Sequence, residues 1–378
     1  MVDILGWTLI VVWLAFTPYT FFLLIGIFRI RKIDRPLRND PRRFIVQITT
    51  NGKAPCSVGR IINTVRSYQL NFPYELWVVT EQADSNKYSS DLTLQVPFDY
   101  ATQNNSKSKT RALCYATSYR IKMNLTGPDT KLLLLDDDSI PSQAYMEDAY
   151  HAEYDIGQGI LAPRIDYGTS LLASIRDNTR TSDCIALCSY FNDHGNARII
   201  HGEGLMVRSN VEAEIGWDYG QCLAEDLVFG RRATGKFKFG FINAFIEVAP
   251  PKSWRDFFVQ RRRWLWGMIT ALPLLDRSER FFLVTRSLTT TFFGLASWPL
   301  IFYDLFFHIQ VPTIFRWLFV INTGAFITYE LVGNWFNTHT LRRVAQHLLL
   351  LYPAALLEAA STIYGLLSRP KGFEVITK

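Results

Sequence analysis

The chain has 378 residues, 48% of them hydrophobic and 14% aromatic, so it can bury one large domain and still have apolar length to spare. Its formal net charge is +6, but much of that excess sits in one short cluster beside an apolar run, which argues for a membrane surface and against nucleic acid. Five cysteines, an odd number and all in the middle of the chain, argue against a disulfide framework and for free thiols in a reducing compartment.

Trp7 to Phe28 contains no charged residue, and about 22 helical residues rising about 1.5 Å each match a bilayer core. Residues 1–28 therefore read as a retained transmembrane helix. No basic residue precedes the run and no small-residue cleavage site follows it, as a signal peptide would require. Arg29, Arg31, Lys32, Arg35, Arg38 and Arg42 make residues 29–42 a basic juxtamembrane linker, expected on the cytoplasmic side.

From Arg43 the pattern becomes that of a soluble domain, bounded here as 43–250. Phe44 to Thr50 reads as a strand, Ser57 as the cap of a helix with Val58, Ile61, Ile62 and Val65 on one face, and Leu76 to Thr80 as the next strand. Strand, helix, strand with short connections predicts an α/β, Rossmann-like domain with a mainly parallel sheet. Thr50-Asn51-Gly52 and Glu81 stand at two strand ends, where they suit a nucleotide or an ordinary turn. The polar run Asn104 to Thr110 opens a helix continuing through Ala112 and Ala116; its amino-end amides, with a lysine beside them, suit a diphosphate, and a solvated loop would read the same.

The densest signal is Leu132 to Leu135 followed by Asp136, Asp137 and Asp138. A short, uniformly apolar run reads as a strand buried on both faces of a parallel sheet, and such sheets bind ligands just past their carboxyl ends. Three carboxylates side by side stay ionised when a divalent cation with oxygen ligands joins them. The competing reading is an acidic turn that caps the next helix through Asp138 or Ser139.

An acidic, aromatic helix through Tyr145, Met146 and Tyr150 and a strand from Gly159 to Pro163 follow. His201-Gly202-Glu203-Gly204 permits close backbone approach by a ligand, or a strand bulge. Glu225 and Asp226 open a helix, where carboxylates are electrostatically favoured whatever their role. Cys184 and Cys188 share a helical spacing and read as packing residues. Residues 251–280 form interface helices, in which Trp254, Phe257, Phe258, Trp264 and Trp266 interleave with Arg255, Arg261, Arg262 and Arg263. Residues 281–368 carry further spans near 284–307, 313–336 and 344–367, with Arg286, Glu330 and Glu358 unusual at such depths and expected to face a protein interior or a lumen. Residues 369–378 are a tail.

With Asp136-Asp137-Asp138, Ala224-Glu225-Asp226 and Gln260-Arg261-Arg262-Arg263-Trp264 in that order, the chain resembles the membrane-embedded glycosyltransferases of family 2, which include cellulose, chitin and hyaluronan synthases. Within that family, Ile156-Gly157-Gln158-Gly159 and the run Asp256 to Trp264 look most like the egghead-type β-1,4-mannosyltransferases. Asp136-Asp137-Asp138 departs from the Asp-Glu-Glu of those relatives, and Glu81 stands in place of an aspartate. The resemblance implies a glycosyltransferase-A domain on a small transmembrane bundle, multi-pass, with its catalytic part on the cytoplasmic side. It implies that Asp136 and Asp138 hold Mg or Mn, and that Thr50, Asn51, Glu81, Lys109, Asp137, Gln260 and Arg263 meet the nucleotide-sugar donor. Asp226 would be the general base, paired with Glu225, and His201, Gly202, Glu203 and Trp264 would meet the acceptor.

The implied reaction is inverting hexosyl transfer, with GDP-mannose favoured over a UDP-sugar and a glycolipid or glycan hydroxyl as acceptor. A processive polysaccharide synthase is the alternative within the class; a catalytically inactive sugar-nucleotide sensor or a transporter is the alternative outside it. An oligomer is compatible with either. A transporter would concentrate polar groups inside its spans, whereas these motifs lie outside them.

Overall fold

The computed structural model describes residues 4–29, 39–164, 171–197, 199–292, 306, 311–338 and 340–370. The chain divides into two compact units, one of residues 32–162 and 188–249 and the other of residues 1–31, 163–187 and 250–377.

The first unit is built on an eight-stranded sheet in the order β3-β2-β1-β4-β7-β6-β8-β5. Its first half is parallel: β1 (Arg43–Thr49) lies between β2 (Glu75–Glu81) and β4 (Thr130–Asp136), and β3 (Leu92–Val96) pairs with β2. Phe44, Ile45, Val46 and Ile48 of β1 and Leu132 to Leu135 of β4 are buried, as continuous apolar runs covered on both faces must be. Past β4 the sheet turns antiparallel through β7 (Leu205–Arg208), which pairs with both β4 and β6 (Ile156–Pro163). The short β5 (Ile140–Pro141) pairs antiparallel with β8 (Phe239–Val248).

Register decides where polar groups gather. Thr49 lies opposite both Val79 and Asp136, so the carboxyl ends of β1, β2 and β4 align along one edge. The chain leaves β1 toward β2 on one side and returns to β4 on the other, which makes that edge the switch point where ligands of α/β sheets bind. Because β7 runs against β4, with Leu205 opposite Leu134, the residues just before β7 arrive at the same edge.

Two helix starts differ from the sequence reading. α2 (Pro55–Ser67) is preceded by Ala54 rather than by Ser57, because Pro55 takes the first position, where its fixed φ and missing N–H cost nothing. α4 (Gln143–His151) is capped by Ser142, whose oxygen accepts from the Tyr145 N–H at 3.2 Å. Neither Asp138 nor Ser139 is that cap, so the acidic turn is not spent on the helix.

Two buried cations tie the unit together. Lys131 donates to the carbonyls of Asn39 and Tyr150 at 2.7 Å and of Ala152 at 2.5 Å, using all three ammonium protons. Arg120 of α3 (Ser108–Lys122) is fully buried; it donates to Gln47 Oε1 of β1 at 2.5 Å and is paired with the equally buried Glu212 of α7 (Ser209–Ile215), which also accepts from Trp217 Nε1 at 2.9 Å.

The second unit is helical: α1 (Ile4–Arg29), α5 (Leu171–Asp183) running into a π-helical turn (Cys184–Cys188), α9 (Trp254–Ala271), α10 (Arg277–Phe292), α11 (Thr313–Thr338) and α12 (Leu341–Leu367). The numbering between these helices includes α6 (Ser189–Asp193) and α8 (Glu225–Ala233) of the sheet unit. By length and composition, α1 and α12 are the described helices apolar enough to cross a membrane. The span expected at 313–336 is helical, but its apolar run carries the buried Asn322, Glu330 and Asn334. Most of the span expected at 284–307 lies outside the described residues.

Residues 163–187 are grouped with the helices, although the sequence reading keeps them inside 43–250. The polar face of α5 explains it. Arg176 binds Glu330 of α11 at 2.7 Å, Asn178 donates to Asn334 at 2.7 Å, Ser182 donates to the Tyr329 carbonyl at 2.6 Å, and Asp177 accepts from Arg261 of α9 at 3.2 Å. Arg286 pairs with Asp183 at 3.0 Å and Glu358 with Arg261 at 3.1 Å, so all three charges that stood out within the expected spans face protein.

Arg120→Met leaves the Glu212 carboxylate buried without its partner, and the expected loss of stability is about 3–5 kcal/mol. Thermal unfolding of the purified protein reads this as a large downward shift, and an unchanged midpoint would contradict the assigned role.

Candidate active site

The site grows from the end of β4. A tight turn, with the Ser139 N–H donating to the Asp136 carbonyl at 3.2 Å, folds Asp136, Asp137 and Asp138 into the sheet edge. Asp137 is fixed by Thr50, whose hydroxyl donates to Oδ2 at 3.0 Å, and Thr50 Oγ1 also accepts from the Gly52 N–H at 3.2 Å. Asn51 caps its own turn, accepting from the Lys53 N–H at 3.0 Å.

Lys109, in the first turn of α3, reaches across to this edge. Its Nζ is 2.5 Å from Asp136 Oδ1 and 3.4 Å from Glu225 Oε1. Burial alone would lower its pKa, but Asp136, Glu225 and Asp226 together hold the ammonium well above its ordinary range. Glu225 and Asp226 open α8, the arrangement expected from the sequence. Asp226 is gripped from two sides: the Gly202 N–H donates to Oδ2 and the Leu227 N–H to Oδ1, both at 2.8 Å. Gly202 lies close to the lysine: a Cβ there would come within 2.8 Å of Lys109 Nζ and displace the end of that side chain. The small cleft at this point is lined by Thr49, Lys109, Asp136, Gly202, Glu225 and Asp226.

This clustering sets the proton affinity of Asp226. Burial raises it first, the neighbouring Glu225 and then Glu203 raise it further, and Lys109 and the Leu227 N–H oppose them, leaving a pKa of about 7. A carboxylate of that kind is about half ionised at neutral pH and basic enough to take a proton.

The structure thus brings Lys109, Asp136, Gly202, Glu225 and Asp226 into contact and sets Thr50 against Asp137. His201 contributes its N–H to Gln158 Oε1 at 3.0 Å, and its Nδ1 lies 3.2 Å from the Glu203 carbonyl. Glu81 is committed to an ion pair with Arg111, two residues after Lys109 on α3. Gln260, Arg263 and Trp264 lie on α9 in the helical unit, where Gln260 accepts from Arg261 Nη1 at 2.8 Å and the guanidinium carbons of Arg261 and Arg180 lie 4.3 and 5.1 Å from the Trp264 ring centre.

Two residues escaped the sequence reading. Asp84 is buried and accepts from Thr80 Oγ1 at 2.6 Å, Tyr88 at 2.7 Å and the Asn86 N–H at 2.9 Å, bonds that hold it ionised below its ordinary pKa despite burial. Asn86 then donates to the Gly52 carbonyl at 2.9 Å, tying the loop after β2 to the turn after β1. The Asp-x-Asn spacing was the available signal. Asp218 accepts from Ser106 Oγ at 2.7 Å and the Asn104 N–H at 2.9 Å, fixing the loop that leads into Lys109. A lone aspartate gave no signal for that.

The sequence profile of the family described as Glycosyl transferase family group 2 matches residues 131–353, more than half of the chain. The chain belongs to that family. As a member it is a hexosyltransferase, and its relatives agree in class. The β-1,4-mannosyltransferase bre-3 of Caenorhabditis elegans is 24% identical over 364 residues, 88% of this chain and 78% of its own length. The β-1,4-mannosyltransferase egh of Drosophila melanogaster is 25% identical over 59% of this chain and 51% of its own length. Among solved structures, the mannosyltransferase PcManGT of Pyrobaculum calidifontis, in complex with GDP-Man and Mn2+, is 15% identical with a TM-score of 0.49, covering 95% of this chain and 96% of its own.

If Asp226 serves as the general base it must be ionised to accept a proton, so kcat/KM is expected to fall about tenfold per pH unit below about 7 and to level off above it. Asp226→Asn is expected to lower turnover by about 10²–10⁴ while nucleotide binding persists. Rates across pH 5 to 9, with nucleotide titrations of the variant, check both; wild-type-like turnover in the variant would remove Asp226 from the base role.

Proposed function

We propose that this glycosyltransferase moves mannose from GDP-mannose to a hydroxyl of a glycolipid or glycan, with inversion at the anomeric carbon. The observation that carries the chemistry is the grip on Asp226, a carboxylate of raised basicity held by two backbone N–H groups beside Lys109 and Asp136. One base suits a single displacement. The acceptor hydroxyl gives its proton to Asp226, its oxygen bonds to the anomeric carbon, and the bond from that carbon to the diphosphate oxygen breaks, so an α-linked donor gives a β-linked product.

The leaving diphosphate needs positive charge. Lys109 supplies one centre, and Asp136 and Asp138 are the residues that would hold Mg or Mn. Their chemistry fits such an ion: the ligands are hard carboxylate oxygens at a strand end, no helix uses them as a cap, and Asp138 is nearly buried. Bound there, a divalent ion would neutralise the charge that develops on the leaving diphosphate. Thr50 orients Asp137, and Glu81 and Asn51 stand at the neighbouring strand ends for the nucleoside. On the family resemblance, His201, Gly202, Glu203 and Trp264 serve the acceptor, and Gln260 and Arg263 the donor diphosphate. The favoured sugar, mannose, is supported by the similarity to the β-1,4-mannosyltransferases bre-3 and egh.

The apolar helices α1 and α12 and the basic stretch after α1 support a multi-pass membrane protein with its sheet unit on the cytoplasmic side. A lipid-borne acceptor would reach such an enzyme from the bilayer.

Nucleotide release by the purified protein in detergent, with GDP-mannose, UDP-glucose and UDP-N-acetylglucosamine offered separately, tests this reading. The expected result is GDP release from GDP-mannose alone, abolished by chelator and restored by Mg or Mn. Release of UDP would overturn the donor assignment and point to a polysaccharide synthase; full activity in chelator would overturn the metal.

A further inference from the structure

We propose that Lys109 and the divalent ion compete for one oxygen, Asp136 Oδ1, so that the lysine holds the acidic cluster together until metal arrives and is then released toward the donor's diphosphate. The inference deepens the function proposed above and rests on it.

Position carries it first. The Lys109 side chain is only 19% exposed, and its ammonium lies between carboxylates of two different elements, 2.5 Å from Asp136 on β4 and 3.4 Å from Glu225 on α8. A metal on Asp136 and an ammonium ion-paired with the same oxygen would repel each other at short range, where solvent screens little.

Space carries it second. The cleft bounded by Lys109, Asp136, Gly202, Glu225 and Asp226 has a volume of about 10 Å³, room for at most about one water. A diphosphate cannot occupy it while Lys109 stays where it is. The side chain is suited to leave, since a lysine is a point charge on a flexible four-carbon stem and makes no fixed bidentate fork. It is anchored in the first turn of α3, whose amino end is itself favourable to phosphate.

The charge count gives the exchange its direction. Asp136, Glu225 and Asp226 surround a single ammonium, so a divalent ion replaces one positive charge with two, while the phosphates provide a new partner for the displaced lysine.

Binding of Mn2+ to the full-length protein, read from the electron paramagnetic resonance of the free ion, tests the exchange without turnover. Lys109→Met is expected to bind Mn2+ alone about tenfold or more tightly than the unchanged protein, and to lose that advantage when GDP is present. Lys109→Arg, which keeps the charge, should bind Mn2+ alone no more tightly than the unchanged protein. In the unchanged protein, Mn2+ is also expected to raise the acylation of Lys109 several-fold by mass spectrometry, a readout that needs no variant. Equal or weaker Mn2+ binding by a folded Lys109→Met, or acylation of Lys109 indifferent to Mn2+, overturns the competition. Failure of Mn2+ to bind the unchanged protein even with GDP overturns the metal site itself, and the two failures are thereby told apart.

Discussion

Like charges forced together at the end of a buried strand are the constraint on which the sheet unit depends. Four leucines bring β4 to the edge, and its register against β1 fixes where Asp136 emerges. Once there, Asp136 faces Glu225 and Asp226 from α8 across a cleft that admits little water. Such a cluster is unfavourable unless cations or donors answer it. Lys109 answers with an ammonium, Thr50 with a hydroxyl, and Gly202 and Leu227 with backbone N–H groups. Each of these comes from a different part of the chain, so the charge problem also fixes the mutual placement of α3, α8 and the segment before β7.

How much of this was legible depends on the range of the interaction. The strands β1, β2 and β4, the buried face of α2 and the start of α8 were readable because each is written in a local run of residues. The polar run before α3 was readable as a helix start, and Lys109 proved to be the residue that reaches from it to the carboxylates of β4 and α8. What escaped is non-local. Asp218 lies more than a hundred positions from Ser106, and nothing around it predicts that it fastens the loop ahead of α3. Lys131 stands at the head of an apolar strand as if misplaced, until its three carbonyl partners from distant segments are seen. Ser57 was overruled by a proline two residues earlier, a case where backbone geometry outweighs side-chain capping.

The helical unit shows the same principle with opposite signs interleaved. Arg176, Arg261 and Arg286 meet Glu330, Glu358, Asp177 and Asp183 one against another, so charges that look misplaced on an apolar background are neutralised within the protein. Arg261 in addition lies over the Trp264 ring. The most conspicuous aromatic of the arginine-rich run is therefore already stacked on a cation, and a sugar would have to share or replace that contact.

The polar residues of α11 bear on how the protein is made. Asn322 donates to the Trp13 carbonyl of α1 at 2.9 Å and accepts from Thr20 at 2.8 Å, while Glu330 pairs with Arg176 and Asn334 accepts from Asn178, both of α5. A helix whose hydrogen bonds are spent on segments synthesised as many as 309 residues earlier has no reason to enter a bilayer by itself. If the helical unit lies in the membrane, α11 is a passenger, integrated only when α1 and α5 are already in place to receive it. Quality control during synthesis would then act on this assembly step, and damage to α5 would appear as failed membrane insertion rather than as a weakened enzyme.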